Sequence, residues 1–178
     1  MKAAIDGRIE RLQALVGCIT HARLLRQRRP REVAVDPVLS VRGARISGVG
    51  GVSGLSLDVT ITLRGGLGQR DDAPRRVVAA AYTYALRDRN GTELLAYHWH
   101  PGDDFLGPDD PHVHVSAALR PALPNGDRAV LPLDKLHLAT GAVSLTAFVR
   151  MLIEEFGARP LADDWRDRLD ATAALGHI

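Results

Sequence analysis

Residues 55–63, with the sequence LSLDVTITL, alternate apolar and polar side chains without a break. Because successive side chains of a strand point to opposite faces, this pattern predicts a strand with one face buried and one face in water. Half-buried strands of this kind are typical of antiparallel sheets. The segment therefore indicates an antiparallel sheet that is covered on one face.

A hairpin is predicted around Asn90 and Gly91, a dipeptide typical of tight turns, because strand-like sequences lie on both sides of it. A two-residue loop there aligns four aromatic residues on one face of the hairpin: Tyr82, Tyr84, Tyr97 and Trp99. We expect this aromatic face to be buried. The sequence LPNGD at residues 123–127 indicates a second turn further along the chain.

Helical spacing of apolar residues appears at both ends of the chain. It predicts an N-terminal helix over residues 3–28, which Pro30 ends, and C-terminal helices over about 145–156 and 163–175. Ser144 is the predicted N-cap of the first C-terminal helix. Between them, the sheet is predicted over about residues 41–132.

The 178 residues are predicted to form a single domain over residues 1–178, because a chain of this length can bury a core without disulfides or metals. The element order predicts an α+β fold, with an antiparallel sheet of about five or six strands and helices on one face.

The sequence predicts a cytoplasmic protein without a membrane-spanning segment. Cys18 is the single cysteine, so an internal disulfide is excluded. The N-terminus MKAAIDGRIERLQ carries charges too early for a signal peptide. The sequence also contains no run approaching the roughly 20 apolar residues that span a bilayer.

Four of the seven histidines form two His-x-His pairs within residues 96–115, which are His98, His100, His112 and His114. Residues two apart on a strand share a face. If the two segments pair across their connecting loop, all four side chains converge on the face opposite Tyr97 and Trp99, above the small residues Ala81 and Thr83. We therefore predict that these four histidines form the functional site.

Acid–base catalysis on RNA is the first hypothesis for this site. Imidazole titrates near neutral pH, so one histidine can act as the base and another as the acid in cleavage through the 2′-hydroxyl. Phosphate contacts would come from arginines, since cations neutralise the nucleic-acid backbone. The candidate RNA-binding residues are Arg23, Arg26, Arg28, Arg29, Arg87 and Arg120. Arginines at 23–31 also suit a solvated helix end.

A metal site is the alternative hypothesis, in which His98, His100, His112 and His114 bind a divalent transition metal. The connecting loop offers carboxylate oxygens for a mixed nitrogen and oxygen site from Asp103, Asp104, Asp109 and Asp110. No cofactor is required by the sequence. His137 would either complete the cluster or be a half-buried histidine bonded to backbone.

The sequence YTYALRDRNGTELLAYHWHP followed by PHVHV, within about residues 80–118, resembles the TumE-like family of small bacterial toxin-antitoxin toxins. The family's Tyr-Asp-Asn step is absent, because His98 and Trp99 follow Tyr97. The resemblance implies a bacterial toxin-like protein that acts on RNA and has an antitoxin protein as its partner. A further alternative is a non-catalytic protein-binding module of a toxin-antitoxin or defence system, using the face with Asp58, Thr60, His98 and His114.

Overall fold

The computed structural model describes residues 2–27, 36–48, 54–66, 76–102, 108–116 and 138–173. The helices within these ranges are α1 (Lys2–Val16), α2 (Leu145–Glu154) and α3 (Trp165–Ala173). The strands within them are β1 (Leu25–Arg26), β2 (Val38–Arg45), β3 (Ser56–Gly66), β4 (Arg76–Arg87), β5 (Glu93–Trp99), β6 (His112–Val115) and β7 (Leu138–Ala139).

The described strands form one sheet in which each strand pairs with its neighbours in the chain, in the order β1 to β7. All of these pairings are antiparallel. Five of the described strands have four residues or more, and the two-residue strands β1 and β7 extend the two edges. The predicted α+β class with an antiparallel sheet is therefore confirmed.

One face of the sheet carries the core, as the alternation in β3 predicted. The apolar residues of this strand are fully buried, namely Leu57, Val59, Ile61 and Leu63. On the same face, the rings of Tyr84 and Tyr97 contact Phe148 of α2. The helices α1 and α3 pack against α2, and α1 also contacts β4. The described helices thus cover the face on which they were predicted.

The turn between β4 and β5 is longer than the predicted two-residue loop. The carbonyl oxygen of Asp88 accepts a hydrogen bond from the N–H of Gly91 at 3.0 Å, and Gly91 has a φ of 82°. This is a three-residue loop, built from a type I turn and a left-handed residue. Glycine adopts that conformation without the steric cost that a side chain would add.

A β-bulge at Leu94 compensates for the longer turn. Leu94 has no directly opposite residue, because Glu93 and Leu95 on either side of it face consecutive residues of β4. The extra residue in β5 offsets the extra residue in the loop. Beyond the bulge, the pairing of β5 with β4 is therefore the predicted one, with Thr83 opposite His98.

The N-terminal helix ends at Val16, so the predicted helix over residues 3–28 is wrong in its second half. The side chain of Gln13 holds the chain that follows the helix. Its Oε1 accepts from the N–H of Leu24 at 2.8 Å, and its Nε2 donates to the carbonyl of Ala22 at 3.1 Å. These hydrogen bonds turn the chain back along the helix, in place of continued helix.

The sheet is wider than predicted, because β1 lies inside the predicted helix and pairs with β2. It begins at Leu25 instead of about residue 41, and it reaches Ala139 instead of about residue 132. Ile19 is buried in the turn after α1, with 1% of its surface exposed. Because Ile19 is apolar and lies at helical spacing from Val16, the sequence pattern predicted a helix that continues past Val16, where the helix in fact ends.

The C-terminal helices lie close to their predicted positions, at Leu145–Glu154 and Trp165–Ala173. Ser144 is the N-cap of α2, and its Oγ accepts from the N–H of Ala147 at 3.0 Å. The predicted end of the last helix, residues 174 and 175, and the predicted turn at 123–127 lie outside the described residues. Among the described helices, none has the length and apolar character needed to cross a membrane.

Candidate functional site

Strand pairing brings the histidines onto the sheet face opposite the helices. His98 of β5 lies directly opposite His112 of β6, and Ala96 lies opposite His114. The intervening residues of both strands, such as Tyr97 and Val113, face the core. The histidines share the predicted face, but the register differs from direct pairing across an 11-residue loop, which would place His100 opposite His112. The shift of two residues keeps every side chain on its predicted face and places the small side chain of Ala96 beside His114.

Three of the imidazoles, from His98, His112 and His114, form a compact group that we call the three-histidine cluster. One ring nitrogen of each lies within 4.8 Å of the others. The ring centroids are 4.8 Å apart for His98 and His114, and 5.1 Å apart for His112 and His114. A tetrahedral ion bound at about 2.0–2.1 Å needs nitrogens about 3.3 Å apart. The ring nitrogens of the cluster would therefore have to move closer by up to about 1.5 Å to bind such an ion.

A backbone carbonyl orients the ring of His112. His112 is 6% exposed, and its Nδ1 lies 2.8 Å from the carbonyl oxygen of Asp110. Because a carbonyl oxygen only accepts hydrogen bonds, Nδ1 is the donor in this contact. A backbone carbonyl is a common partner for the second nitrogen of a metal-binding histidine.

His100 lies beside the three-histidine cluster without belonging to it. Its Nε2 is 3.0 Å from the Oγ1 of Thr83, and its ring is edge-on to that of His98 at 5.6 Å between centroids. Burial lowers the pKa of His100, and His112 lowers it further. The ring is therefore neutral near pH 7, where it can accept or donate one hydrogen bond at each nitrogen.

The two described carboxylates of the predicted mixed site, Asp109 and Asp110, do not join the cluster. Both residues are exposed. The Oδ1 of Asp109 accepts from the N–H of Gly102 at 3.2 Å, and Asp110 contributes its backbone carbonyl to His112. Asp103 and Asp104 lie outside the described residues. Within the described part of the chain, the donor set is therefore nitrogen alone.

Arg87 lies on the histidine face, but it is held by carboxylates. Its Nε contacts Asp58 at 2.8 Å, and its Nη2 contacts Glu93 at 3.1 Å. Its Nη1 donates to the carbonyl oxygen of Gly91 at 3.0 Å. Strand spacings place the Cα atom of Arg87 about 12 Å from the Cα atom of His114. A phosphate group would therefore have to compete with Asp58 and Glu93 for the predicted contact with Arg87.

The other described arginines of the predicted RNA-binding set lie at the far edge of the sheet. Arg26 is on β1, five strands from β6 and thus about 24 Å away. It pairs with Leu39 and so belongs to the core-facing row of the sheet. Arg23 is exposed in the segment before β1. Arg28, Arg29 and Arg120, as well as His137, lie outside the described residues.

Two contacts at the site were missed by the sequence prediction. The first is the bond between Thr83 and His100, since Thr83 was expected only to leave space. The second is the carbonyl of Asp110 on His112. Pro111 is a sequence signal for the second contact, because a residue before proline favours an extended conformation.

Comparisons of this chain with protein-family models, with curated proteins and with solved structures find no match. The resemblance to TumE-like toxins therefore stays a prediction.

Proposed function

We propose that the protein binds a divalent transition metal through His98, His112 and His114, and that this metal ion forms the functional site of the protein. The observation that carries the proposal is the cluster itself, with three ring nitrogens within 4.8 Å of one another on adjacent strands. The contact of the His112 Nδ1 with the carbonyl oxygen of Asp110 supports it, because a backbone carbonyl often orients the ring of a metal-binding histidine.

Zinc suits this donor set best among common ions. Imidazole nitrogen is a normal zinc ligand, and catalytic zinc sites combine three protein ligands with an open position. Three neutral imidazoles leave the ion its full charge, and such an ion lowers the pKa of bound water to about 7. The site would therefore supply a hydrolytic centre, with His100 and Thr83 beside it as hydrogen-bonding groups for the substrate.

Elemental analysis of the untagged protein tests this proposal. We expect close to one transition-metal ion per chain, lost after chelation. Because metal binds the folded state, restoring zinc at about 100 times its dissociation constant should stabilise the fold by about 2.7 kcal/mol. For a chain of this size that corresponds to a rise in Tm of about 5–11 °C.

Matched histidine variants make the test specific. His112→Ala and His114→Ala should each abolish the zinc-dependent rise in Tm, while His21→Ala should retain it, because His21 is exposed and distant from the cluster. His100→Ala should also retain it. Metal-free protein whose Tm does not respond to zinc, or an equal response in all four variants, would rule out the metal centre.

We also propose, as a second candidate, metal-free acid–base cleavage of RNA by the same histidines in a cytoplasmic, toxin-like protein. The favouring observation is that His98 contacts both His100 and His114, so imidazole pairs are present without any metal. Replacement of His98 or His114 by Ala should lower turnover by about 10² to 10⁴.

RNA cleavage in excess chelator separates the two candidates. Cleavage that survives chelation and is lost in His98→Ala would favour the acid–base mechanism. Growth arrest that persists in the His98→Ala, His114→Ala double variant would contradict histidine catalysis. Co-purification with the product of a neighbouring gene, without any cleavage, would instead support a binding module with an antitoxin-like partner.

A further inference from the structure

A cavity of about 770 Å³ lies at the other end of the sheet from the three-histidine cluster. It is lined by the end of β2, the start of β3, the β4–β5 turn and the segments around Ile19 and Leu161. Thr83, which lies opposite His98, and the lining residue Asp88 are five positions apart in the chain, which is about 17 Å of strand. The cavity is thus distinct from the histidine site.

The described lining combines two arginines with apolar walls. Arg45 and Arg89 both line the cavity, and neither forms an ion pair within the described residues. Apolar wall is supplied by Ile46, Leu55 and Leu161. A space of this volume matches pockets that hold small organic ligands, in which a few polar groups orient a largely apolar body.

The one carboxylate among the described lining residues belongs to Asp88, and the turn already uses it. Its Oδ1 accepts from the N–H groups of Asn90 and Thr92, each at 2.8 Å. Among the described residues, it forms no ion pair with either lining arginine. Arg45 and Arg89, both exposed, are the arginines of the described lining, and their guanidinium groups are strong hydrogen-bond donors for an anion.

The rim of the cavity is braced by the ion pairs of Arg87. Asp58, which contacts Arg87, accepts from the N–H of the lining residue Gly43 at 2.6 Å. Arg87 also donates to the carbonyl oxygen of the lining residue Gly91. One network therefore fixes two sides of the rim, one from β2 and one from the turn. A rim held in this way lowers the ordering cost of binding.

Gly54 fixes the position of Arg89. A Cβ atom on Gly54 would lie 2.9 Å from the Cβ of Arg89, and Gly54 has a φ of 84°. The glycine therefore allows the β4–β5 turn to approach the start of β3 and carries Arg89 to the cavity.

We propose that this cavity binds a small molecule with an anionic group on an apolar body, the anion bound by Arg45 and Arg89. A guanidinium binds carboxylate or phosphate oxygens through charge-assisted hydrogen bonds, so either anion meets the chemical requirement. Because part of the lining is apolar, we expect the cavity to bind such a molecule more tightly than an inorganic anion. This site is independent of the metal centre proposed above.

Titration of the ¹⁵N-labelled full chain with phenyl phosphate and with benzoate tests the site. For ligands this small we expect saturable binding with a dissociation constant on the order of 1 mM. The amide signals of Gly43, Gly54 and Gly91 should shift. The tighter of the two probes identifies the preferred anion. Benzyl alcohol and inorganic phosphate, which each lack one half of the ligand, should bind at least about tenfold more weakly.

Arginine variants complete the test. Arg45→Gln and Arg89→Gln should each weaken binding of the better probe by about tenfold, whereas Arg42→Gln, an exposed control on the same strand, should not. The proposal is overturned if neither anion saturates, if benzyl alcohol binds equally well, or if all three variants behave alike. Repeating the titration in chelator should give the same result, so failure of the metal proposal leaves this test intact.

Discussion

Tyr82 and Tyr84 are a matched pair in the core whose hydroxyls have different surroundings. Their rings stack at 4.6 Å between centroids, with 1% and 0% of their surfaces exposed. The Tyr82 hydroxyl accepts from the N–H of Val143 at 2.9 Å. The Tyr84 hydroxyl has no hydrogen-bond partner among the described residues. Replacing each tyrosine by Phe therefore removes a bonded oxygen in one case and an unbonded one in the other.

The free energies of unfolding should move in different directions. Tyr82→Phe leaves the N–H of Val143 without its acceptor, which costs about 1–3 kcal/mol for a buried donor. Tyr84→Phe removes a hydroxyl that is desolvated without compensation, so stability should be unchanged or rise by about 1 kcal/mol. The two variants should thus differ by about 1–4 kcal/mol, with a midpoint of about 2.5 kcal/mol, although the substitution is the same.

Equilibrium unfolding in urea measures this difference. With a denaturant slope of about 2 kcal/mol per M, the two midpoints should be separated by about 1 M. Fluorescence and circular dichroism should give coincident transitions, so that unfolding can be treated as two-state. Equal losses in both variants would refute the reasoning, because they would mean that ring packing, and not hydroxyl bonding, decides the cost.

Stability at alkaline pH should depend on the hydroxyl of Tyr84. Burial raises the pKa of Tyr84, and Tyr82 raises it further. An unfolded tyrosine loses its proton near pH 10. Above that pH the unfolded chain binds fewer protons than the folded chain, so stability falls as pH rises, while below it Tyr84 has no effect. Tyr84→Phe should therefore show a shallower loss of stability above pH 10, and an unchanged slope would contradict this.

Three further predictions concern single positions. Ser144→Ala should cost about 1 kcal/mol in urea unfolding, while Ser144→Asp should retain most of the stability, because either oxygen caps α2. The thiol of Cys18, whose pKa burial raises, should resist alkylation in the folded protein and react on unfolding, and rapid reaction under native conditions would show that it is accessible. Gly91→Ala should cost about 1 kcal/mol through its positive φ alone, and Gly54→Ala should cost more because the new Cβ also meets Arg89.

The antiparallel sheet and its histidine face could be predicted because both follow from alternation. The pattern in β3 and the aromatic ladder of Tyr82, Tyr84, Tyr97 and Trp99 are period-two signals, and they fix which side chains share a face. The two-residue loop was wrong, yet the predicted register survived because Leu94 compensates for the extra loop residue. The alternation predicts the face on which each residue lies. This prediction is unchanged when one extra residue in the loop is matched by one extra residue in the strand.

The missed features depend on side-chain hydrogen bonds between distant residues. The end of α1 depends on Gln13 bonding to Ala22 and Leu24, which no apolar pattern reveals. The ion pair of Arg87 with Asp58 joins residues on different strands, so the sequence showed a free cation where the structure has a bound one. Charge and spacing predict which groups are present, but the partner of each group is set by the completed sheet.

The chain-order pairing of the strands also bears on how the protein folds. Each described strand pairs with its sequence neighbour, so most sheet contacts close short segments of chain. Folding rates rise as contacts become more local. The three histidines of the cluster lie within residues 98–114, on the two strands of a single hairpin. In the proposed metal centre, the ion would therefore bind when that hairpin closes, before the helices dock, and zinc present during refolding should accelerate the step that forms β5 and β6.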